Sequence, residues 1–190
     1  MADIGHSDWS LLPEDIDFIL GQVAAREATR VVECGSGAST LAIARFLRDR
    51  GAGTVHSLEH DARWAQETRS ALATQDLDGL ATVIEAPLES HASAPPGCLW
   101  YARDALAQLP SDAIELLLVD GPPASPDSGA ERSRYPALPL LRDRLGPGAL
   151  VVLDDAGRAG EHWVIERWRA ELDVDLRPVG ARIAAGTIPG

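Results

Sequence analysis

The chain has 190 residues, of which 45% are hydrophobic and 24% charged, and this size and balance are typical of one globular domain with its own core. The formal net charge of −12 argues against a nucleic-acid partner. All 17 basic residues are arginines, so sites that depend on a lysine are excluded, namely P-loops, Schiff-base sites and the Tyr-Lys pairs of dehydrogenases. Because no apolar run reaches membrane-spanning length and residues 1–10 lack the pattern of a secretion signal, we expect a cytoplasmic protein without a membrane partner.

Short apolar runs alternate along the chain with segments of helical periodicity, a pattern that predicts an α/β fold around a mostly parallel sheet. We interpret residues 1–190 as a single domain in which residues 1–28 form a helical extension. Strands are predicted at about 30–34, 54–59, 80–86, 113–120, 147–154, 173–179 and 181–188. Helices are predicted at about 13–27, 39–50, 61–74, 102–109, 134–145 and 159–171.

Two local features refine this interpretation. The last two strand-like runs are joined by a tight turn at Gly180, which predicts an antiparallel hairpin at the edge of the sheet. The two cysteines, Cys34 and Cys98, do not form a CxxC pair, so they are predicted to be reduced thiols rather than a disulfide or a zinc site.

The segment VVECGSGAST, residues 31–40, predicts a glycine turn between the first strand and the next helix. Gly35 and Gly37 permit a tight turn and the close approach of a ligand, toward which the new helix directs its free N–H groups. A bare GxG also occurs as a simple turn, with Ser39 as a helix cap. Glu59 ends the second strand, 22 residues after Gly37, where an acid can accept both ribose hydroxyls, so turn and acid together favour a ligand that contains adenosine.

NAD and S-adenosylmethionine share these features and differ in the charge that lies beside the glycines. A dinucleotide places its pyrophosphate there and usually requires a third glycine, but this chain has Thr40 at that position and the acid Glu33 before the turn. Carboxylates repel a pyrophosphate, whereas they suit a ligand that carries an α-ammonium and a sulfonium group. These residues therefore favour S-adenosylmethionine.

Several segments carry a family resemblance: ECGSGAST followed by LAIARFL, SLEHD, LLLVDGPP, RYPALPLL and LVVLDDAGR. Together they resemble the class I S-adenosylmethionine-dependent methyltransferases of the small single-domain O-methyltransferase-like kind. The resemblance covers nearly the whole chain and implies a Rossmann-like three-layer sandwich whose seven-stranded sheet has the order 3-2-1-4-5-7-6. Catechol-type enzymes differ in having a longer glycine turn and an Asp-Asn pair after the fifth strand, where this chain has Asp154 and Asp155.

The resemblance also implies a cofactor site. In the family, the first motif surrounds the methionyl part of the cofactor, and the hydroxyl at the position of Ser39 contacts the cofactor carboxylate. Glu59 matches the acid that binds the ribose, and His60 is expected near the adenine. The turn after the third strand is expected at the edge of the adenine. The implied cofactor-binding residues are Glu33, Gly35, Ser36, Gly37, Ser39, Glu59, His60, Ala86, Pro87, Leu88 and Asp120.

Methyl transfer is an in-line displacement that requires alignment and, for a hydroxyl acceptor, removal of a proton. Asp120, Asp154 and Asp155 follow strands that are expected to be neighbours. They can hold a divalent cation such as Mg²⁺, as in the metal-dependent O-methyltransferases that the chain resembles, or one of them can act as a general base. They can also be structural, with Asp155 capping the next helix and Asp154 holding its loop. His162 is a further candidate base, although a single helical histidine is more often a surface or packing residue.

Two segments are candidates for contact with the methyl acceptor. Trp100 and Tyr101 precede a helix and either wall the acceptor site or pack in the core. The loop at 121–136 contains Arg132 and Arg134, which either meet an anionic acceptor as part of a lid or lie exposed at the surface.

The leading functional hypothesis is a methyltransferase that acts on a hydroxyl of a small molecule or sugar. A non-catalytic protein that senses S-adenosylmethionine or S-adenosylhomocysteine is the second, and the acids after strands four and five favour the enzyme over it. An NAD-dependent oxidoreductase is disfavoured by Glu33 and by the missing third glycine.

Overall fold

In the computed structural model of the chain, residues 11–111, 113–124 and 130–189 are described, so the first ten residues of the predicted extension and part of the 121–136 loop lie outside the described residues. The strands are β1 Arg30–Cys34, β2 Thr54–Glu59, β3 Ala81–Glu85, β4 Leu88–Glu89, β5 Trp100–Tyr101, β6 Ile114–Val119, β7 Leu145–Leu153, β8 Arg177–Val179 and β9 Ile183–Thr187. The helices are α1 Pro13–Ala25, α2 Ala38–Arg50, α3 Ala62–Thr74, α4 Arg103–Leu106, α5 Ala137–Leu141 and α6 Ala159–Leu172.

Seven strands form one sheet in the order β3-β2-β1-β6-β7-β9-β8. The first five are parallel, and β9 and β8 add the antiparallel hairpin. Counted within this sheet alone, the order is 3-2-1-4-5-7-6, so the predicted topology is confirmed. The strand order reverses between β1 and β6, and in such sheets the ligand crevice lies at the carboxyl ends of the two strands that flank the reversal.

Both faces of the sheet are buried, which is why its strands read as continuous apolar runs. On one face Val31, Leu116 and Val152 pack against helices α1, α2 and α3. On the other face Val32 and Leu117 pack against α4, α5 and α6. The result is the three-layer sandwich that the sequence predicts.

The structure differs from the predicted elements in the middle of the chain. The helix predicted at 102–109 is reduced to α4, which ends at Leu106, before the residue that Pro110 restricts. A short antiparallel hairpin of β4 and β5 pairs Leu88 with Tyr101 and was not predicted, since two-residue strands show no apolar alternation. Cys34 and Cys98 are both buried and free. Among the described residues, no helix combines the length and apolar character needed to span a membrane.

Candidate active site

The glycine turn joins β1 to α2 and depends on two left-handed glycines. Gly35 has φ 101° and Gly37 has φ 147°, values that side-chain-bearing residues rarely adopt. A Cβ atom at Gly37 would lie 3.4 Å from Nε1 of Trp64, and this indole nitrogen donates a hydrogen bond of 2.7 Å to the carbonyl oxygen of Ser36. Trp64, on α3, therefore packs against the turn and fixes its backbone.

Glu33 holds the turn from behind. Its side chain is fully buried and accepts hydrogen bonds from the hydroxyls of Ser39, Thr40 and Ser57. Burial raises the pKa of Glu33, and the three hydroxyl donors act in the opposite direction. Thr40, which occupies the position of the third glycine of a dinucleotide site, also accepts a hydrogen bond of 3.0 Å from the Gly37 N–H. Glu33 therefore orders the turn from the strand side.

Glu59 is the last residue of β2, and both oxygens of its carboxylate accept hydrogen bonds. One oxygen accepts hydrogen bonds of 3.0 Å from the N–H and the hydroxyl of Ser36, and the other accepts one of 3.0 Å from the Asp61 N–H. His60 Nδ1 lies 3.0 Å from the second oxygen. Because these donors fix the side chain, it is preorganised rather than mobile.

A cavity of about 290 Å³ extends from the glycine turn across the ends of β1 and β6. Its wall combines the turn, the ends of β2 and β6 and three arginines: Leu11, Gly35, Ser36, Gly37, Ala38, Ser39, Glu59, His60, Asp61, Trp64, Tyr101, Asp120, Gly121, Pro123, Ala124, Arg134, Asp155, Arg158 and Arg182. Eight predicted site residues are thus brought together, namely Gly35, Ser36, Gly37, Ser39, Glu59, His60, Asp120 and Asp155.

Three aspartates form a cluster beside this cavity, and two of them, Asp120 and Asp155, line it. Asp120, Asp154 and Asp155 have carboxylate oxygens within 4.8 Å of one another. Arg182 donates to both carboxylate oxygens of Asp154, at 3.1 and 2.8 Å, and lies 3.2 Å from the Asp155 carboxylate. Arg134 is buried beside them and donates to the carboxylate of Asp155 at 3.0 Å. The aspartates are therefore held in an ion-pair network.

Arg134 also ties two strand ends together. Its guanidinium donates to the backbone carbonyl oxygens of Asp120 at 2.6 Å and Asp154 at 2.8 Å, and it lies 3.6 Å from the Asp120 carboxylate. Arg158 adds an ion pair of 2.8 Å to Asp155. The sequence left open whether Arg134 belongs to a lid over the acceptor, and in the structure these groups enclose it. The guanidinium of Arg132 lies over the ring of Trp163, 4.6 Å from the ring centroid.

Comparison with known proteins identifies the family. Residues 32–156, about two thirds of the chain, match the family model described as a methyltransferase domain. The chain belongs to this methyltransferase family. The predicted resemblance to the class I S-adenosylmethionine-dependent methyltransferases is thereby confirmed. No curated protein sequence matches the chain at a significant level.

Solved structures share the fold at low sequence identity. A candidate O-methyltransferase from Klebsiella pneumoniae is 22% identical with a TM-score of 0.72, over 97% of this chain and 84% of that one. The O-methyltransferase TomG from Streptomyces achromogenes, in complex with S-adenosylmethionine, is 19% identical with a TM-score of 0.67, over 96% and 83%. An RNA methyltransferase from Salinibacter ruber, in complex with S-adenosylhomocysteine, is 16% identical with a TM-score of 0.58, over 95% and 94%. At these identities the likeness is one of fold.

The aspartate cluster of this methyltransferase does not fit a divalent cation. Mg²⁺ requires oxygen ligands at about 2.1 Å in octahedral geometry. Both carboxylate oxygens of the fully buried Asp154 are instead directed at Arg182, and Asp155 is shared by Arg134, Arg158 and Arg182. A metal ion would have to displace guanidinium groups that already neutralise these acids.

Asp120 is the member of the cluster that is open to the cavity and has a perturbed pKa. Burial, together with the neighbouring Asp154, raises the pKa of Asp120 well above its ordinary value, although Arg134 opposes the shift. An aspartate with a raised pKa can accept and hold a proton at a pH where an exposed aspartate cannot. Among the aspartates of the cluster that line the cavity, Asp120 is the one whose pKa is raised.

Several predicted residues lie outside the cavity wall. His162 is exposed on α6 and borders a second cleft of about 310 Å³ beside the β8–β9 hairpin. His162 shares this face of α6 with Ile165, Glu166 and Arg169, which border the same cleft. Ala86 is buried behind Glu59, to whose carbonyl oxygen it donates a hydrogen bond of 2.7 Å. The other predicted residues outside the wall are Glu33, Pro87, Leu88 and Asp154.

The sequence reasoning missed several residues of the wall. Trp64 and Asp61 are close to Glu59 in the chain, and Asp61 caps α3 by accepting hydrogen bonds from the N–H groups of Arg63 and Trp64. An Asp before a helical segment is a recognisable capping signal, but nothing in it indicates a ligand. Arg182 gave no signal, because its partner Asp154 lies 28 residues away and meets it only through the sheet.

Proposed function

We propose that this methyltransferase uses S-adenosylmethionine to methylate a hydroxyl group of a small molecule or sugar. One observation carries the proposal: the glycine turn, the oriented Glu59 and the carboxylate of Asp120 all face the same cavity. Such a cavity can hold a nucleoside at one end and present a base to an acceptor at the other.

The wall of the cavity suits S-adenosylmethionine better than a dinucleotide. Four carboxyl groups, those of Glu59, Asp61, Asp120 and Asp155, lie in the wall beside three arginines, so acidic side chains outnumber basic ones there. A ligand with an α-ammonium and a sulfonium group matches this balance, whereas a pyrophosphate would add two negative charges. Gly35 and Gly37 leave the backbone open to close approach by the ligand.

In this proposal the protein supplies orientation and proton transfer. When bound, S-adenosylmethionine would supply a methyl group on a positively charged sulfur, and cleavage of the carbon–sulfur bond would leave the electron pair on sulfur in neutral S-adenosylhomocysteine. Glu59 accepts hydrogen bonds from the ribose hydroxyls, and Asp120 accepts the proton that the acceptor hydroxyl loses as its oxygen bonds to the methyl carbon. Arg134 donates to the backbone oxygen of Asp120 and so keeps this carboxylate at the cavity. Alignment of the acceptor provides the remainder of the rate enhancement.

The reaction is proposed to proceed without a divalent cation. Arg134 and Arg182 place two fixed positive charges among the three aspartates, where the metal-dependent enzymes that the chain resembles are expected to hold a metal ion. A guanidinium is always charged, so this positive potential does not depend on metal supply. Excess EDTA should leave the rate unchanged, and a rate that falls and recovers with Mg²⁺ would contradict this part of the proposal.

The cofactor is tested first by thermal shift, because a ligand that binds only the native state raises the melting temperature by mass action. S-adenosylmethionine and S-adenosylhomocysteine should stabilise the protein, and NAD and NADP should not. Stabilisation by NAD alone would refute the cofactor assignment.

The acceptor is tested with methyl-labelled S-adenosylmethionine and a panel of phenols, sugars, hydroxy acids and RNA, with transferred label as the measurement. Label on a hydroxyl of a small molecule or sugar supports the proposal, and label on RNA alone refutes the acceptor class. Binding without transfer to any acceptor would favour the non-catalytic sensor.

A further inference from the structure

The β4–β5 hairpin presents Tyr101 to the cavity in a fixed position. The backbone oxygen of Tyr101 lies 2.9 Å from Nε2 of the buried His91, and the ring packs edge-to-face on Trp100 with centroids 4.9 Å apart. Arg103 closes the base of the hairpin with an ion pair of 2.7 Å to Glu89. The ring therefore has little freedom to turn away from the cavity.

The hydroxyl group of Tyr101 lies at the junction of the two central strands. A Cβ atom at Gly121 would lie 2.4 Å from this hydroxyl oxygen, 3.2 Å from the Gly35 nitrogen and 3.3 Å from the Cys34 oxygen. Only a glycine at position 121 leaves room for the hydroxyl there. The oxygen is thus placed where the ends of β1 and β6 meet, beneath the ligand space.

This hydroxyl has no hydrogen-bond partner in the part of the chain that the structure describes, although Tyr101 is fully buried and borders the cavity. Buried hydroxyl groups are nearly always paired, and an unpaired one is unfavourable unless a ligand completes its hydrogen bonding. Without such a partner, phenylalanine would fill the same space and avoid the cost of an unpaired hydroxyl.

The electrostatic surroundings select the kind of partner. Burial, and after it the neighbouring Cys34, Glu59 and Asp120, raise the pKa of Tyr101 well above its ordinary value, so the phenol stays neutral and keeps its acceptor lone pairs. The carboxylates of Glu59 and Asp120 make this region attractive to a positively charged group. A cationic hydrogen-bond donor satisfies both conditions.

We propose that the Tyr101 hydroxyl contacts the cofactor and accepts a hydrogen bond from its α-ammonium group. The inference rests on the proposed use of S-adenosylmethionine and adds a binding residue on a hairpin outside the glycine turn. It also gives a reason for Gly121, whose missing side chain makes the approach possible.

The test compares Tyr101→Phe with wild type and with Tyr135→Phe, the only other tyrosine of the chain, whose hydroxyl bonds to Glu171 away from the cavity. Calorimetric titration measures the affinity for S-adenosylhomocysteine and for 5′-methylthioadenosine, which lacks the amino-acid part. Tyr101→Phe should weaken S-adenosylhomocysteine about 10- to 100-fold, the usual effect of losing a hydrogen bond to a charged group, and leave 5′-methylthioadenosine unchanged. Tyr135→Phe should change neither affinity.

Stability gives an independent readout. Removing a hydroxyl that has only a ligand as its partner should not lower the melting temperature of the ligand-free protein. A ligand-side test needs no variant: an S-adenosylhomocysteine analogue without the α-amino group should bind wild type and Tyr101→Phe equally.

Unchanged affinity for S-adenosylhomocysteine in Tyr101→Phe would overturn the inference, and so would an equal loss for both ligands, which would place the contact on the nucleoside. Failure of the wild-type protein to bind either S-adenosylmethionine or S-adenosylhomocysteine would refute the proposed function itself. The two failures are therefore distinguishable.

Discussion

Arg182→Met is expected to destabilise the protein and at the same time create a metal site. Arg182 makes two hydrogen bonds to Asp154 and an ion pair to Asp155, and Asp154 is fully buried. Removing one partner of a buried pair leaves an uncompensated charge and typically lowers the free energy of unfolding by about 3–5 kcal/mol. Because 21% of the Arg182 side chain is exposed and water can reach the vacated space, we expect the lower end, about 3 kcal/mol.

The matched control is Arg177→Met on the same hairpin, whose ion pair with Asp175 is largely exposed. Its loss should change the free energy of unfolding by about 0–1 kcal/mol. Urea denaturation followed by tryptophan fluorescence measures both variants. A loss in Arg182→Met no larger than that in the control would show that the buried pair does not carry the stability assigned to it.

Metal binding completes this test. Wild type should not bind Mn²⁺, whereas Arg182→Met frees carboxylate oxygens of Asp154 and Asp155 and should bind one Mn²⁺, detected by electron paramagnetic resonance. Bound Mn²⁺ should then recover part of the lost stability, since it binds only the folded state. Stoichiometric Mn²⁺ binding by wild type would refute the argument that guanidinium groups occupy the cluster.

Three further predictions concern single residues of the two clefts. Glu59→Gln should weaken S-adenosylhomocysteine by about 1–3 kcal/mol in a calorimetric titration while the fold survives, because a carboxylate acceptor is lost. Asp120→Asn should abolish methyl transfer. The pKa of Asp120 is raised in the folded state, so its contribution to stability is complete below the unfolded-state pKa and is lost as the pH rises through the folded-state pKa. Asn does not titrate, so the melting temperature of Asp120→Asn relative to wild type should increase with pH. His162→Gln should leave the transfer rate within about twofold of wild type, because His162 borders the other cleft; a larger loss would contradict this placement.

The sheet could be predicted because its information is local. Each parallel strand is a short apolar run bounded by turn residues, and Gly180 marks the final hairpin. The order of the strands was instead implied by the family resemblance, and the structure has that order. The β4–β5 hairpin could not be predicted, since its two-residue strands are defined by the pairing of Leu88 with Tyr101 rather than by any pattern.

The positions of the candidate site residues were more predictable than their contacts. Gly35, Gly37 and Glu59 lie where their spacing placed them, because a turn and a strand end fix the backbone. Glu33 was assigned to the cofactor site from its charge and from its place in the family motif, and the structure adds that its carboxylate accepts hydrogen bonds from three hydroxyls. The pairing of Asp154 with Arg182 depends on two strands that meet only in the folded sheet, and sequence periodicity does not encode such a contact.

Arg182 borders both clefts, of about 290 and 310 Å³. Shortening this residue should leave more room for bulkier acceptors, but it would also leave the charge of Asp154 uncompensated in the protein interior. Directed evolution toward larger acceptors should therefore select changes at position 182 together with a neutral residue at position 154. Acceptor size and folding stability are coupled genetically through this one pair.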